Sequence, residues 1–182
     1  MSIRLAPMLM MLSMALPLAA SAYDVGDPVA DIVLPDLEGE TAALSDLEGQ
    51  IILLNFFATW CPGCNEEALV LEQDVWQVYQ EQGVMVVAIN LQEPAGLVAG
   101  WAAAMGVTYP IWLAPDWSVL QAFTDSPALP YNTVIDRTQV LRYGQMGFDQ
   151  DELIATIEEV LAEDVSPVEA RTWTGIRALF RP

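Results

Sequence analysis

Apolar and polar positions follow two different periods along this chain, and the period changes at residue 61. Residues 50–58, QIILLNFFA, form an apolar run rich in Ile, Leu and Phe, the pattern of a strand covered on both faces of a sheet. Beyond Cys61 the spacing becomes helical. Ala68, Leu71, Val75, Val78 and Tyr79 mark one face, Glu66, Glu67, Glu72, Asp74 and Glu81 fill the other, and Gly83 marks the stop. Cys61 therefore falls where a buried strand meets a helix N-terminus.

The remaining pattern extends this plan. GVMVVAIN, 83–90, is a second β-prone apolar run, and a strand–helix–strand connection of this size is nearly always parallel and right-handed. The ends of both strands then share one sheet edge, which brings Glu93 close to Cys61. Residues 94–105 suit a short helix, 109–115 a strand and 117–123 a helix. YNTVID and QVLRYGQ alternate as two strands about the turn 136–138, with Pro130 just before the first. Residues 149–164 form an amphipathic helix with acids at its start, where the helix dipole favours them. Ahead of the core, residues 29–48 carry an acidic glycine turn that suggests a β-hairpin extension.

The 182 residues, 54% apolar and 17% charged, suffice for one domain with its own core. Residues 1–22 read as a cleavable signal peptide: Arg4, an uncharged apolar stretch, then Ala20-Ser21-Ala22. An uncleaved anchor is the competing reading, against which stand the short run and its Pro7 and Pro17. The domain is assigned to 23–164. Without Arg4 the mature chain sets 25 acidic residues against five arginines, a charge that repels nucleic acid and anionic membrane surfaces. An acidic exported protein explains the imbalance, and a saline habitat is the alternative.

Cys61 and Cys64 are the only cysteines, and no histidine is present. A bond between residues three apart closes a tiny loop and stabilises little. Zinc needs about four ligands dominated by Cys and His, so a metal clip is excluded. A working dithiol is left. At the helix start, unpaired N–H groups and the dipole favour a thiolate at Cys61, which makes it the nucleophile, and Cys64, one turn in and less exposed, suits a resolving thiol. Pro62 fits the first helical turn. Glu93, at the sheet mouth, is a candidate to exchange a proton with Cys64.

With NFFATWCPGC at a strand–helix junction, VVAINLQE, LPYNTVID and the leader, the chain resembles the thioredoxin superfamily, in its exported, redoxin-like branch typified by TlpA and ResA. The resemblance covers roughly residues 25–163. It implies an α/β thioredoxin-like fold, a central mixed β-sheet flanked by helices, and a catalytic Cys61 with a resolving Cys64. It also implies a cis bond at Leu129-Pro130 facing the dithiol; only about 5–6% of X–Pro bonds are cis, so this expectation rests on the family. Leu129 would offer its backbone to an extended substrate, and Trp60 would shield the pair. No cofactor and no metal are implied. The implied partners are disulfide-containing proteins, apocytochrome c among the candidates, and a membrane thiol donor of CcdA or DsbD type. The expected protein is a periplasmic monomer that exchanges its Cys61–Cys64 pair, as a reductant.

Two departures from general thioredoxins matter. Asn55 stands where those proteins carry a buried acid, so the proton-handling group must be elsewhere, and Glu93 in an N-x-x-E setting takes the role by resemblance. The Pro-Gly dipeptide between the cysteines does not fix a subfamily or the direction of electron flow. A DsbA-like oxidant would need a helical insertion that 94–129 cannot hold. A peroxiredoxin would need Thr in place of Ala58, and copper-delivery relatives need a His. The rival of another class is a thioredoxin-fold binding module or chaperone with an inert disulfide. Residues 165–182 hold Arg171, Arg177 and Arg181 with Trp173, Ile176 and Phe180 at helical spacing, a basic amphipathic tail that reads as an extra packed helix, with contact to a membrane or a partner as the alternative.

Overall fold

The computed structural model describes residues 22–163. The leader up to residue 21, Asp164 and the basic tail lie outside the described residues, so the expectations placed on them stay as stated.

The apolar run at 51–57 becomes β3 (Ile51–Phe57), every residue of which is buried. It lies at the centre of a five-stranded sheet ordered β5-β4-β3-β6-β7. β4 (Val84–Leu91) and β5 (Ile111–Ala114) run parallel to β3, while β6 (Tyr131–Ile135) is antiparallel to β3 and β7 (Leu141–Met146) to β6. A separate hairpin, β1 (Val33–Pro35) with β2 (Thr41–Ala43), is the N-terminal extension. It leans on the β5 edge through a bridge between Asp36 and Trp112.

Alternation along β3 divides the core. Ile51, Leu53 and Phe57 pack towards α1 (Pro62–Val70), α3 (Ala95–Met105) and α5 (Gln150–Glu163). Ile52, Leu54 and Phe56 pack on the other face with the N-terminal segment and the short α4 (Ser118–Gln121). The mixed sheet flanked by helices is the architecture the resemblance implied.

The helix after Cys61 departs from expectation. After α1 it widens into a π stretch, Leu71–Trp76, then returns through one turn of α2 (Gln77–Tyr79) to a 3-10 turn at Gln80–Gln82, ending on Gly83 with φ 84°. The wider turn rotates the later positions relative to an α-helix. Val78, expected on the apolar face, is 49% exposed, while Glu67 and Glu72, expected on the polar face, are buried. Both acids face inward because the core offers them donors: Asn55 for Glu67, and Thr108 with Gln77 for Glu72.

Candidate active site

Cys61 is the N-cap of α1, in extended backbone geometry, and Pro62 opens the helix where no N–H is needed. The two cysteines form a disulfide. Cys64 N donates to Cys61 Sγ at 3.2 Å, so the first sulfur already sits among the unsatisfied donors of the helix start. The pair is nearly covered, with Cys61 5% exposed and Cys64 2%, so the remaining opening lies at Cys61. Trp60, immediately before it, is 66% exposed.

The cis peptide bond is at Leu129-Pro130. Pro130 faces the dithiol loop: a Cβ placed on Gly63 would stand 3.5 Å from Pro130 Cδ. Leu129 is half-buried between the two halves of the core.

Glu93 reaches the same loop from the end of β4. Gln92 adopts a left-handed conformation, φ 63°, with its N–H on Ala114 O and its side chain accepting from Trp117 Nε1. That turn delivers the Glu93 carboxylate to Thr59, whose N–H and Oγ1 donate to it at 2.7 and 2.6 Å; Asn90 Nδ2 adds a third bond at 2.7 Å. On the far side of the loop, Asn65 Nδ2 donates to Thr59 O and Asn65 Oδ1 accepts from the Trp101 indole. The backbone leading into Cys61 is thus held from β4, α1 and α3.

Sequence reasoning passed over Glu67. It lies three residues after Cys64, on the same side of α1, and is 1% exposed. Asn55 Nδ2 donates to its Oε1 at 3.0 Å and also to Asn132 Oδ1 across the sheet. Glu67 Oε2 has no hydrogen-bond partner. Burial pushes the carboxyl up to about 8, against the opposing pull of the Asn132 amide, so it is held protonated near neutrality. A buried acid therefore lies behind the dithiol although Asn55 replaces the expected one; the acid comes from the helix instead of the strand. The signal was in the spacing. Glu67 and Ala68 continue the row Cys64–Leu71–Val75, whereas Glu66 does not.

Among the described residues no cluster suits a metal ion, and no helix is long and apolar enough to cross a membrane.

A family model described as AhpC/TSA family matches residues 25–144. A relative named thiol-disulfide oxidoreductase ResA, from Geobacillus thermodenitrificans, is 38% identical over 117 residues, 64% of this chain and 66% of the relative. The protein of that name in Bacillus subtilis is 35% identical over 111 residues, 61% of each chain. The chain thus spans less than two thirds of the length of either relative. Among solved structures, a putative protein disulfide isomerase from Bacteroides thetaiotaomicron has a TM-score of 0.70 at 27% identity, covering 77% of this chain and 91% of that one. A putative thiol:disulfide interchange protein DsbE from Chlorobium tepidum has a TM-score of 0.67 at 25% identity, covering 77% and 99%.

Proposed function

This chain belongs to the AhpC/TSA family, within its thioredoxin-like, ResA-related part, and from that membership we propose that it is a thiol-disulfide oxidoreductase acting through Cys61 and Cys64. The observation that carries the reading is the Cys61 sulfur at the start of α1, accepting the Cys64 N–H in a loop that cis-Pro130 faces. In the reduced protein the same donors favour a Cys61 thiolate. That thiolate attacks a partner disulfide; a Cys61–partner bond forms and the partner's other sulfur leaves with the electron pair. Cys64 then yields its proton to a base, attacks Cys61 Sγ and releases the partner as a dithiol, while the Cys61–Cys64 disulfide re-forms.

Two acids share the work in this proposal. Proton transfer, which the sequence placed on Glu93, suits Glu67, a helical turn from Cys64 with one oxygen free. Glu93, its carboxylate occupied by Thr59 and Asn90, suits the placing of the Cys61 loop. Trp60 and Pro62, both exposed, are the surface that an incoming chain meets, with half-buried Leu129 and buried Pro130 behind it and the exposed indole as its apolar contact.

The protein works outside the cytoplasm in this reading, in the periplasm, as a reductant supplied by a membrane thiol donor of CcdA or DsbD type. Disulfide-containing proteins are its substrates, with apocytochrome c the candidate that a ResA-like role names. The test is reduction of a protein disulfide by the pre-reduced chain. Cys61→Ser should abolish turnover, Cys64→Ser should accumulate covalent partner adducts, and Glu67→Gln should slow resolution roughly 100-fold at pH values above its titration. Full turnover by the Cys61→Ser variant would leave an inert disulfide in a binding module as the better reading. A redox equilibrium against glutathione fixes the direction, since a strongly reducing couple is required of a reductant.

A further inference from the structure

Three polar side chains lie buried in a hydrogen-bonded row behind the dithiol, and a main-chain carbonyl at the end of the row decides which way the two amides point. Asn55 on β3 is 4% exposed and Asn132 on β6 is 1% exposed, and the sheet register sets them opposite one another. Gly147 O, just past the end of β7, accepts Asn132 Nδ2 at 3.2 Å. Gly147 has φ 83°, a conformation natural to glycine, and its N–H is tied to Pro130 O at 2.8 Å, so this peptide is held beside the cis-proline. A carbonyl oxygen can only accept. Asn132 must therefore turn its NH2 to Gly147, which leaves its Oδ1 facing Asn55. Asn55 must then present its own NH2, with one bond to Asn132 Oδ1 at 3.0 Å and the other to Glu67 Oε1 at 3.0 Å. The polarity fixed at Gly147 thus passes through two amides to the acid a helical turn beyond Cys64.

We propose that Asn132 is a positioning residue for the resolving step: it orients the Asn55 amide so that an N–H always meets Glu67 Oε1, and Oε2 is left as the oxygen that takes the Cys64 proton. The inference rests on Glu67 as the base of that step. An Asn55 side chain turned the other way would set its Oδ1 against Glu67, an acceptor that repels the carboxylate and favours the protonated acid. In the orientation observed, Oε1 is satisfied in both protonation states, and the proton comes and goes at Oε2, which has no partner. During resolution the Cys64 S–H proton passes to Oε2 and the Cys64 thiolate attacks Cys61 Sγ. The partner sulfur leaves with the electron pair and takes a proton from water. Asn132 opposes the upward push of burial on Glu67, and a direct pull and one relayed by Asn55 predict different outcomes. The other titratable groups on this side are the two cysteines on the same helix, Tyr109 before β5 and Tyr143 on β7, with Glu72, Asp149 and Glu152 acting on those tyrosines.

The test has two readouts on the full chain. In the oxidised protein, carboxyl-carbon NMR of labelled glutamate follows Glu67 through its titration. In the reduced protein, dithiobis(nitrobenzoate) releases one thionitrobenzoate as Cys61 attacks and a second as Cys64 resolves, and by stopped flow the second rate rises with pH along a limb set by Glu67. Asn55→Leu and Asn132→Leu should each move the carboxyl titration and the limb up by about one pH unit, because a donor to the charged form is lost or turned away. The double variant should move them no further than Asn55→Leu alone. Shifts that add would mean that Asn132 acts on Glu67 directly, and the relay would be overturned. An Asn132→Leu variant that titrates like the unaltered protein would overturn it as well. If Glu67→Gln leaves the rate limb in place while the carboxyl shifts follow the expected pattern, the orientation of Glu67 by Asn132 stands and its reading as the base fails. Should the single variants not fold, the side-chain amide signals of the unaltered protein decide. Both Asn55 and Asn132 should follow the Glu67 titration, and an Asn132 signal indifferent to it overturns the proposal.

Discussion

Glu67 and Glu72 leave the same interrupted helix five residues apart, and both are buried, yet their surroundings drive them to opposite protonation states. Glu72 meets burial, which raises its pKa, with a ring of donors that outweighs it: Thr108 N, Gln77 Nε2, Thr108 Oγ1 and Tyr109 N hold the carboxyl below its ordinary value. Glu67 accepts one hydrogen bond, from Asn55 on Oε1, with only the Asn132 side chain adding a further pull, and burial prevails. Glu67 also lies deeper, 1% exposed against 8%, so depth and the number of donors aimed at it together decide whether a buried acid is a fixture or a proton carrier. Glu72 ties the helix to the connection before β5. Glu67, left half-satisfied one turn from Cys64, is free to change state.

The largest effect expected from this contrast is in the pH dependence of stability. The folded-state pKa of Glu67 is raised from 4.5 to about 8, so between those values the folded chain binds a proton that the unfolded chain has lost. Stability should fall as pH rises through that window, at about 1.4 kcal/mol per unit from this group, and level off above it. Glu72 has the opposite sign. Its folded value is depressed, so its contribution is present above 4.5 and is lost as pH falls through that lower value. Urea titrations at a series of pH values measure both, and Glu67→Gln should remove the neutral-range slope. An identical slope in the variant would show that Glu67 ionises as readily folded as unfolded, and the contrast would be gone.

Next in size is the loss of the fixture itself. Glu72→Ala strips the acceptor from Thr108 N, Thr108 Oγ1 and Gln77 Nε2, which leaves donors unpaired beside the core and should cost about 2 kcal/mol or more in the same titration. The exchange rate of the variant, measured where it is fully folded, should keep its pH limb. A limb that moved as far as in a Glu67 variant would mean that the two acids act as one unit.

Much of this frame was legible because it rests on local pattern. The apolar run of β3 required a doubly covered strand, and the change of period at Cys61 located the dithiol at a helix start. The cis geometry at Pro130 came only with the family resemblance. Glu67 was passed over because a charged residue beside Glu66 reads as a solvated face, and its donors come from strands distant in sequence. Asn55 faces Asn132 across β3 and β6, and that pairing exists only once the register is fixed. The π stretch escaped for a related reason. Nothing in LEQDVW demands a wider turn; it accompanies the docking of Glu72, Trp76 and Gln77 on Thr108, which is a tertiary event.

That re-phasing sets the smallest effect and the sharpest check on how the helix presents its two acids. An α-helix continued from Ala68 through Leu71 and Val75 would carry Val78 with Tyr79 onto the sheet, and Val78→Ser would then bury a hydroxyl and leave a void. With the wider turn in place, Val78 faces solvent, and the same substitution should shift stability by no more than about 0.5 kcal/mol. Val75→Ser, three residues earlier at a fully buried position, should cost about 2 kcal/mol or more. Equal losses at the two positions would mean that the helix runs unbroken in solution. Glu72 would then have turned away from Thr108, and the donor ring that separates it from Glu67 would not form.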